Sequence, residues 1–186
     1  MHFTTKNLTL REFREDDFDA LLAYQGDPRY LQYYGEAERP EEFTRSLHRW
    51  FVDHQADEPR YRFQLAITLR DDDRLIGNVG VRKPKPDAVE AEMGCEFAAD
   101  YWNRGYATEA NRAMLRFGFQ DLQLHRLWAG TNSGKGAAQR VLEKLGMRRE
   151  GELRETTWMG DHWANTIIYG ILEDEWRSLS EPTRPV

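Results

Sequence analysis

Hydrophobic and polar positions alternate along the first half of the chain and predict short strands there. The clearest run has apolar residues at every second position from 63 to 69, which is the period of a strand. Two stretches have helical spacing instead. The predicted strands are 8–11, 63–69, 75–81 and 89–97, and the predicted helices are 19–24 and 41–54. The acidic turn at 71–73 joins two of the strands and predicts a hairpin.

The period changes in the second half of the chain, where helices and strands alternate. Apolar residues follow helical spacing after Gly105 and again from Ala138 to Leu145, and Gly146 is placed to end the second helix. Strands are predicted at 124–129, 149–159 and 162–172. No internal repeat or linker is found. The order predicts one α/β (α+β) domain with a mixed sheet over residues 7–176, followed by a C-terminal tail at 177–186.

Composition and charge exclude several classes of protein. The 186 residues are 40% hydrophobic with a net charge of −6, so neither nucleic acid nor an anionic membrane is an expected partner. Cys95 is the single cysteine and the five histidines lack ligand spacing, so we expect no disulfide within the chain and no metal. The N-terminus lacks the apolar core of a signal peptide, which predicts a cytoplasmic location.

The segment 101–110 reads YWNRGYATEA and lies where a predicted strand gives way to a helix. A glycine there permits a tight turn, and the free N–H groups of the first helical turn attract phosphate oxygens. Arg104 adds a cation beside Gly105. Alone, this pattern is more often ordinary helix capping. It is neither a dinucleotide fingerprint, which needs three spaced glycines, nor a P-loop, which needs Gly-Lys-Ser/Thr.

Further motifs accompany this segment in a fixed order. They are AEMG at 91–94, FGF at 117–119, LHRL at 124–127, RVLEKLGM at 140–147 and EGELR at 150–154. In this combination the chain resembles the GNAT N-acetyltransferases, in the branch that acetylates the N-termini of ribosomal proteins. The resemblance extends over nearly the whole chain.

The resemblance implies a central sheet that splays apart, flanked by helices, with acetyl-CoA bound in the gap. The pantetheine arm would then pair with the backbone near Phe97 and Ala98. The pyrophosphate would rest on the loop and first helical turn formed by Arg104, Gly105, Tyr106, Ala107 and Thr108. Trp102 departs from the family signature, which has Gln or Arg at this position.

The resemblance also implies roles in proton transfer, which amine acetylation requires. Glu92 matches a glutamate that several GNAT enzymes use as a general base, and a solvated or ion-paired strand residue is the alternative interpretation. Glu96 shares its face of the strand. Many members carry a tyrosine where this chain has Leu142, and the branch has Asn-x-x-Ser where this chain has Lys135 and Ala138. Lys135 is therefore a candidate for contact with a phosphate or carbonyl of CoA, although a loop lysine is more often solvated.

A different residue is then needed to protonate the departing thiolate. Tyr169, on a late predicted strand, is the candidate acid, although an interior tyrosine is more often a core residue. The aromatic residues Tyr30, Tyr33, Tyr34, Trp50 and Phe51 lie in the N-terminal helices, which form one wall of the acceptor groove in this family. They are candidates for cation–π contact with an amine or for helix core.

The predicted function is transfer of acetyl from acetyl-CoA to a primary amine, either a protein N-terminus or a small molecule, by direct attack in a ternary complex. A homodimer is a further arrangement that the resemblance implies. The changes at Lys135 and Ala138 leave a second interpretation open. In that interpretation the chain is a GNAT-fold acyl-CoA sensor with weak catalysis.

Overall fold

The computed structural model describes residues 1–36 and 38–180. These residues form one mixed sheet of eight strands in the order β1-β2-β3-β4-β5-β6-β8-β7. The strand bounds are β1 His2–Thr4, β2 Leu8–Arg11, β3 Arg62–Leu69, β4 Leu75–Arg82, β5 Glu90–Phe97, β6 Arg126–Asn132, β7 Arg148–Trp158 and β8 Trp163–Leu172. The strands pair antiparallel with one exception, the parallel pair of β5 and β6.

The helices cover both faces of the sheet. Their bounds are α1 Phe18–Gln25, α2 Pro28–Leu31, α3 Glu41–Asp53, α4 Tyr106–Arg116, α5 Gly136–Lys144 and α6 Glu173–Ser180. One apolar core includes side chains of α4 and α5, and a second includes side chains of α1, α2 and α3. The predicted α/β domain with a mixed sheet and flanking helices is therefore confirmed. None of the described helices is long and apolar enough to cross a membrane.

The sheet opens between its two central strands. β5 and β6 pair over only three residues, Glu90 with Arg126, Ala91 with Leu127 and Glu92 with Trp128. Beyond this point β5 stays paired with β4, and β6 stays paired with β8 as far as Asn132. The two halves of the sheet therefore part like a V whose closed end lies at Glu92. The splay that the family resemblance implies is present.

Several elements depart from the sequence prediction. The alternation over 63–69 is typical of a half-exposed strand, but β3 is buried on both faces because helices pack on each side of it. Three elements were missed, β1, α2 and α6. The last helix runs on to Ser180, past the predicted domain end at residue 176. Residues 181–186, which belong to the predicted C-terminal tail, lie outside the described residues.

Candidate functional site

The edge of β5 that faces the V presents backbone groups without a strand partner. Backbone N–H and C=O groups point to alternate sides along a strand. Because Ala98 N donates to Ile76 O on the β4 side, the groups of residues 93, 95 and 97 face the open side. Phe97 therefore directs its N–H into the cleft, as predicted for a cofactor-binding residue. Ala98 differs, since its N–H is already used within the sheet.

The loop between β5 and α4 ends in a backbone arrangement suited to an anion. Gly105 precedes α4 with φ +82°, and no side chain caps the first turn. The first intrahelical bond runs from Glu109 N to Gly105 O, so the N–H groups of residues 106–108 have no intrahelical acceptor. A Cβ at Gly105 would meet nothing within 4 Å. The space beside Gly105 is open, and the free N–H groups of this turn form the positive N-terminal end of α4.

Two side chains fix the course of this loop. Trp102 Nε1 donates to Phe97 O at 2.8 Å, and the Trp102 ring meets Tyr33 edge-on at 5.6 Å. Trp102 therefore closes the loop and links it to the segment after α2. Arg104 is exposed and lies over the ring of Tyr101. Its guanidinium stands beside Gly105, where the predicted pyrophosphate contact requires a cation.

Glu109 is a residue of the recognised motif whose contribution the sequence did not reveal. Its carboxylate accepts hydrogen bonds from Thr5 Oγ1 at 2.6 Å, Asn7 N at 2.7 Å and Asn7 Nδ2 at 2.8 Å. These bonds tie the first turn of α4 to the turn between β1 and β2. Glu109 therefore holds the anion-binding turn in place from the side opposite the V.

The face of β5 that packs against α1 and α2 carries a half-buried carboxylate, that of Glu96. It accepts hydrogen bonds from Tyr24 Oη at 2.9 Å, Gln25 Nε2 at 2.7 Å, Asn78 Nδ2 at 2.5 Å and, in addition, Tyr30 Oη. All four donors are neutral, and within the described residues no cation forms an ion pair with Glu96. Neutral donors satisfy the oxygens of a carboxylate without adding a compensating positive charge. The site therefore presents a negative charge to an incoming cation.

A chain of hydrogen bonds extends from Glu96 across the sheet to Glu92. Gln64 Nε2 donates to Asn78 Oδ1 at 2.6 Å, and Arg82 Nη1 donates to Gln64 Oε1 at 2.8 Å. Arg82 Nη2 in turn lies 3.6 Å from the carboxylate of Glu92. A polar layer of this kind inside a sheet face requires complete hydrogen bonding, and no buried side-chain donor or acceptor among the described residues lacks a partner.

This layer was largely missed by the sequence analysis. Asn78 is a polar residue inside the apolar run that predicts β4, and that interruption was the available signal. Gln64 stands at a polar position of the alternation that predicts β3, so it gave no signal. Glu96 was noted only for sharing a face with Glu92. Between the two glutamates lies Gly94, where a Cβ would approach nothing closer than Arg82 Nη2 at 3.4 Å. An amine can therefore approach the backbone of β5 at Gly94.

Aromatic rings form the wall that faces Glu96. Tyr30 and Tyr34 stack at 4.7 Å, and the guanidinium of Arg39 lies 5.1 Å from the Tyr34 ring. Burial, together with the charge of Glu96, raises the pKa of Tyr30 and of Tyr34 above the ordinary tyrosine value. Both hydroxyls are therefore neutral at physiological pH. Trp50 and Phe51 belong instead to the core under α3.

Lys135 reaches this wall from the other half of the sheet. It precedes α5, and its Nζ lies 3.7 Å from the centroid of the Tyr34 ring and 5.5 Å from that of Tyr33. Burial lowers the pKa of Lys135 to about 8, and the charge of Glu96 partly opposes this shift. The ammonium therefore lies at the V, in electrostatic reach of the β5 carboxylate.

The two predicted catalytic residues lie apart from each other. Glu92 is at the closed end of the V, beside Arg82. Tyr169 is 2% exposed, and its hydroxyl donates to Glu143 Oε1 at 3.2 Å. Burial and this carboxylate raise the pKa of Tyr169, which weakens it as an acid at neutral pH. The catalytic roles of both residues remain predictions.

A backbone contact joins the two halves of the molecule beside the aromatic wall. Gly35 has φ +68°, and a Cβ there would lie 2.5 Å from Met159 Cα and against the carbonyl oxygen of Trp158. Only glycine permits both this conformation and this approach. The loop after α2 therefore packs directly on the turn between β7 and β8.

We expect Gly35→Ala to lower the free energy of unfolding by about 1–3 kcal/mol, the usual cost of overpacking. It should also raise the KM for the acceptor, while stabilisation by acetyl-CoA persists because the anion-binding turn is remote. Thermal unfolding with and without acetyl-CoA measures this. Gly160→Ala is the matched control, since Gly160 has φ +94° but a Cβ there would be 3.6 Å from its nearest neighbour, Gly35 O. Equal losses of unfolding free energy in both variants would show that the positive φ, and not the contact with Trp158 and Met159, causes the destabilisation.

Comparison with known proteins gives a consistent result. Residues 7–148 match the family model of the acetyltransferase (GNAT) domain. The chain is 36% identical over 176 residues to the uncharacterized N-acetyltransferase YnaD of Bacillus subtilis, covering 95% of this chain and 99% of that protein. The structure of a GNAT-family acetyltransferase from Bacillus anthracis superposes with a TM-score of 0.79 at 30% identity, covering 94% and 99% of the two chains.

A more distant structure shares the fold. Spermidine N-acetyltransferase from Vibrio cholerae, solved in complex with CoA and spermine, gives a TM-score of 0.79 at 18% identity and covers 93% of this chain and 99% of its own.

Proposed function

Because the chain belongs to the GNAT acetyltransferase family, we propose that it moves an acetyl group from acetyl-CoA to a primary amine by direct attack in a ternary complex. The acceptor is a protein N-terminus or a small-molecule amine. The observation that carries this proposal is the geometry at β5. An unpaired backbone edge leads to a helix N-terminal turn suited to an anion on one side, and a carboxylate without an ion-pair partner in the described residues lies among aromatic rings on the other.

The residues of the V fit acetyl-CoA. The open space over Gly105 and the free N–H groups of residues 106–108 suit the pyrophosphate, with Arg104 beside them. The cleft-facing groups of Met93, Cys95 and Phe97 suit the amides of the pantetheine arm. Acetyl-CoA supplies the activated acyl group, and a backbone N–H on this edge is the donor available to its carbonyl oxygen.

Glu96 is the residue proposed to receive the amine. An ammonium is drawn to its carboxylate and to the faces of Tyr30 and Tyr34, and must lose a proton before it can attack. Glu96 takes this proton, directly or through water. Glu92, the base predicted from sequence, lies on the same face at the closed end of the V and is the competing candidate.

The function is tested by incubating the protein with acetyl-CoA and a panel of primary amines. The panel contains spermidine, a peptide with a free N-terminus and several amino acids. We expect CoA release that depends on one of these amines, with an acetylated product identified by mass spectrometry. Stabilisation by acetyl-CoA without release by any amine would contradict the proposal and favour the acyl-CoA sensor. Absence of both would remove CoA from the function altogether.

A further inference from the structure

The ammonium of Lys135 has no hydrogen-bond acceptor within the part of the chain that the structure describes. Its nearest partners are the ring faces of Tyr34 and Tyr33. Cation–π attraction holds the group in place but leaves its three N–H donors without an acceptor atom. A partly buried ammonium in this state can donate to an atom that a ligand brings into the V.

The position of Lys135 relative to the free edge of β5 identifies that atom. Lys135 lies between the end of β6 at Asn132 and the start of α5 at Gly136, on the wall of the V opposite β5. Its Nζ lies on the Tyr34 ring, Tyr34 stacks on Tyr30, and the Tyr30 hydroxyl donates to Glu96 of β5. The ammonium therefore lies near the acceptor carboxylate, at the part of the V where the thioester of a bound acetyl-CoA must meet the amine.

The other candidates for a proton donor to the thioester sulfur are poorly placed. Leu142 is buried in the apolar core, and Ala138 has no donor. Tyr169 has its hydroxyl proton on a carboxylate of α5, that of Glu143. The reaction nevertheless releases a thiolate, which leaves more easily when it is protonated.

We propose that Lys135 is the general acid of the reaction and gives a proton to the CoA sulfur as the carbon–sulfur bond breaks. This rests on the proposed acetyl transfer. The amine nitrogen supplies the electron pair of the new C–N bond, and the pair of the broken C–S bond remains on sulfur. Lys135 Nζ transfers its proton to that pair and later regains one from water. Glu96 takes one proton from the ammonium before attack. The second proton leaves the nitrogen as the amide forms and passes to water, from which Lys135 regains the proton that it gave to sulfur.

The ionisation of Lys135 supports this role. Burial lowers the pKa of Lys135 to about 8, and a donor whose pKa lies near the working pH is an efficient general acid. The donor is present below this pKa and lost above it, and kcat/KM reports ionisation of the free enzyme. The kcat/KM for acetyl-CoA should therefore fall as pH rises through about 8. The groups that face Lys135 are Glu96 and Cys95 on β5, Arg39 before α3, and Tyr33 and Tyr34 after α2.

The first test compares Lys135→Met with the parent protein, using acetyl-CoA and whichever amine of the panel reacts fastest. We expect kcat at pH 7 to fall by about 10²-fold or more, the usual contribution of a general acid. The fall of kcat/KM for acetyl-CoA at high pH should disappear, and the KM for acetyl-CoA at pH 7 should change little. Lys144→Met replaces an exposed lysine at the end of α5 and should match the parent. An unchanged kcat, or a change confined to the KM for acetyl-CoA, would overturn the proposal.

The second test needs no acceptor and uses CoA itself. A nearby ammonium favours the thiolate, so the thiol of bound CoA should ionise at a pH lower by about one unit or more in the parent than in Lys135→Met. Ultraviolet difference absorbance of the thiolate measures this, with desulfo-CoA as the blank. Identical titrations would place Lys135 away from the sulfur and refute the role. A shift in a protein that acetylates no amine would support the placement of Lys135 while the proposed function fails.

Intact-mass analysis completes the design. Lys135 is itself a primary amine at the cleft, and acetylation of Lys135 by bound acetyl-CoA would make it a nucleophile and contradict the acid role. After incubation with acetyl-CoA, the parent should gain no more acetyl groups than Lys135→Met does. One extra acetyl group on the parent would contradict the acid role.

Discussion

Replacing Glu96 with Gln should lower kcat at pH 7 by about 10²-fold or more, the size of a general-base contribution. The carboxylate lies among four neutral donors with no ion-pair partner in the described residues, so it retains the charge needed to draw an ammonium and take its proton. The loss should shrink as pH rises, because a growing share of the amine arrives neutral. Steady-state CoA release with the reactive amine, followed across pH 6 to 9, measures both effects.

Glu92→Gln is the matched variant, and it decides between the two glutamates. The sequence prediction assigns the base to Glu92. This residue lies on the same face as Glu96 but beside Arg82, and it is the last residue of β5 that pairs with β6. We expect the smaller loss there. A larger loss in Glu92→Gln than in Glu96→Gln would restore Glu92 as the base. Glu96→Asp keeps the charge for the four donors, so it provides a folded comparison if Glu96→Gln is unstable.

Replacing Gly105 with Val should abolish binding of acetyl-CoA. The backbone there has φ +82°, which a β-branched residue adopts only under strain, and the new side chain would occupy the open space over the free N–H groups. In the parent, acetyl-CoA at 100 times its Kd should add about 2.7 kcal/mol to the free energy of unfolding. Thermal unfolding with and without acetyl-CoA should show this gain in the parent and lose it in Gly105→Val.

Two further variants separate the causes. Gly105→Asn tolerates the left-handed backbone yet fills the same space, so it should fold normally and still lose binding. Gly151→Val places the same side chain on β7 in a space with no neighbour within 4 Å and without a positive φ, and should bind acetyl-CoA like the parent. A folded Gly105→Val that binds acetyl-CoA as tightly as the parent would defeat the assignment of this turn.

The pattern of apolar positions predicted most of the elements that build the V. Three predicted elements stand where the periodicity places them: the helix after Gly105, the helix that ends just before Gly146, and the hairpin of β3 and β4. Each buries apolar residues at the spacing of its own secondary structure. β1, α2 and α6 were missed. β1 has three residues, and so short a strand carries too little pattern to be recognised before its partner is known.

The chemistry of the site was less predictable. The anion-binding turn is local, since a glycine and the first turn of one helix produce it, and its residues were all named from the sequence. The network around Glu96 joins residues of α1, α2, β4 and β5. No spacing along the chain encodes a contact between such distant segments, so Asn78 and Tyr24 lay within a predicted strand and a predicted helix with no role assigned.

The sequence by itself determined the family, the α/β architecture and the turn at Gly105, because these depend on local periodicity and on motifs within short segments. The tertiary structure alone decided which charges meet in the V. Glu96 faces Lys135 across the cleft because β5 and β6 separate after Glu92, and Lys135 reaches Tyr34 because the Gly35 loop packs against the β7–β8 turn. The first relation depends on how far two strands diverge, and the second on a contact that bridges the two halves of the sheet. Spacing along the chain specifies neither.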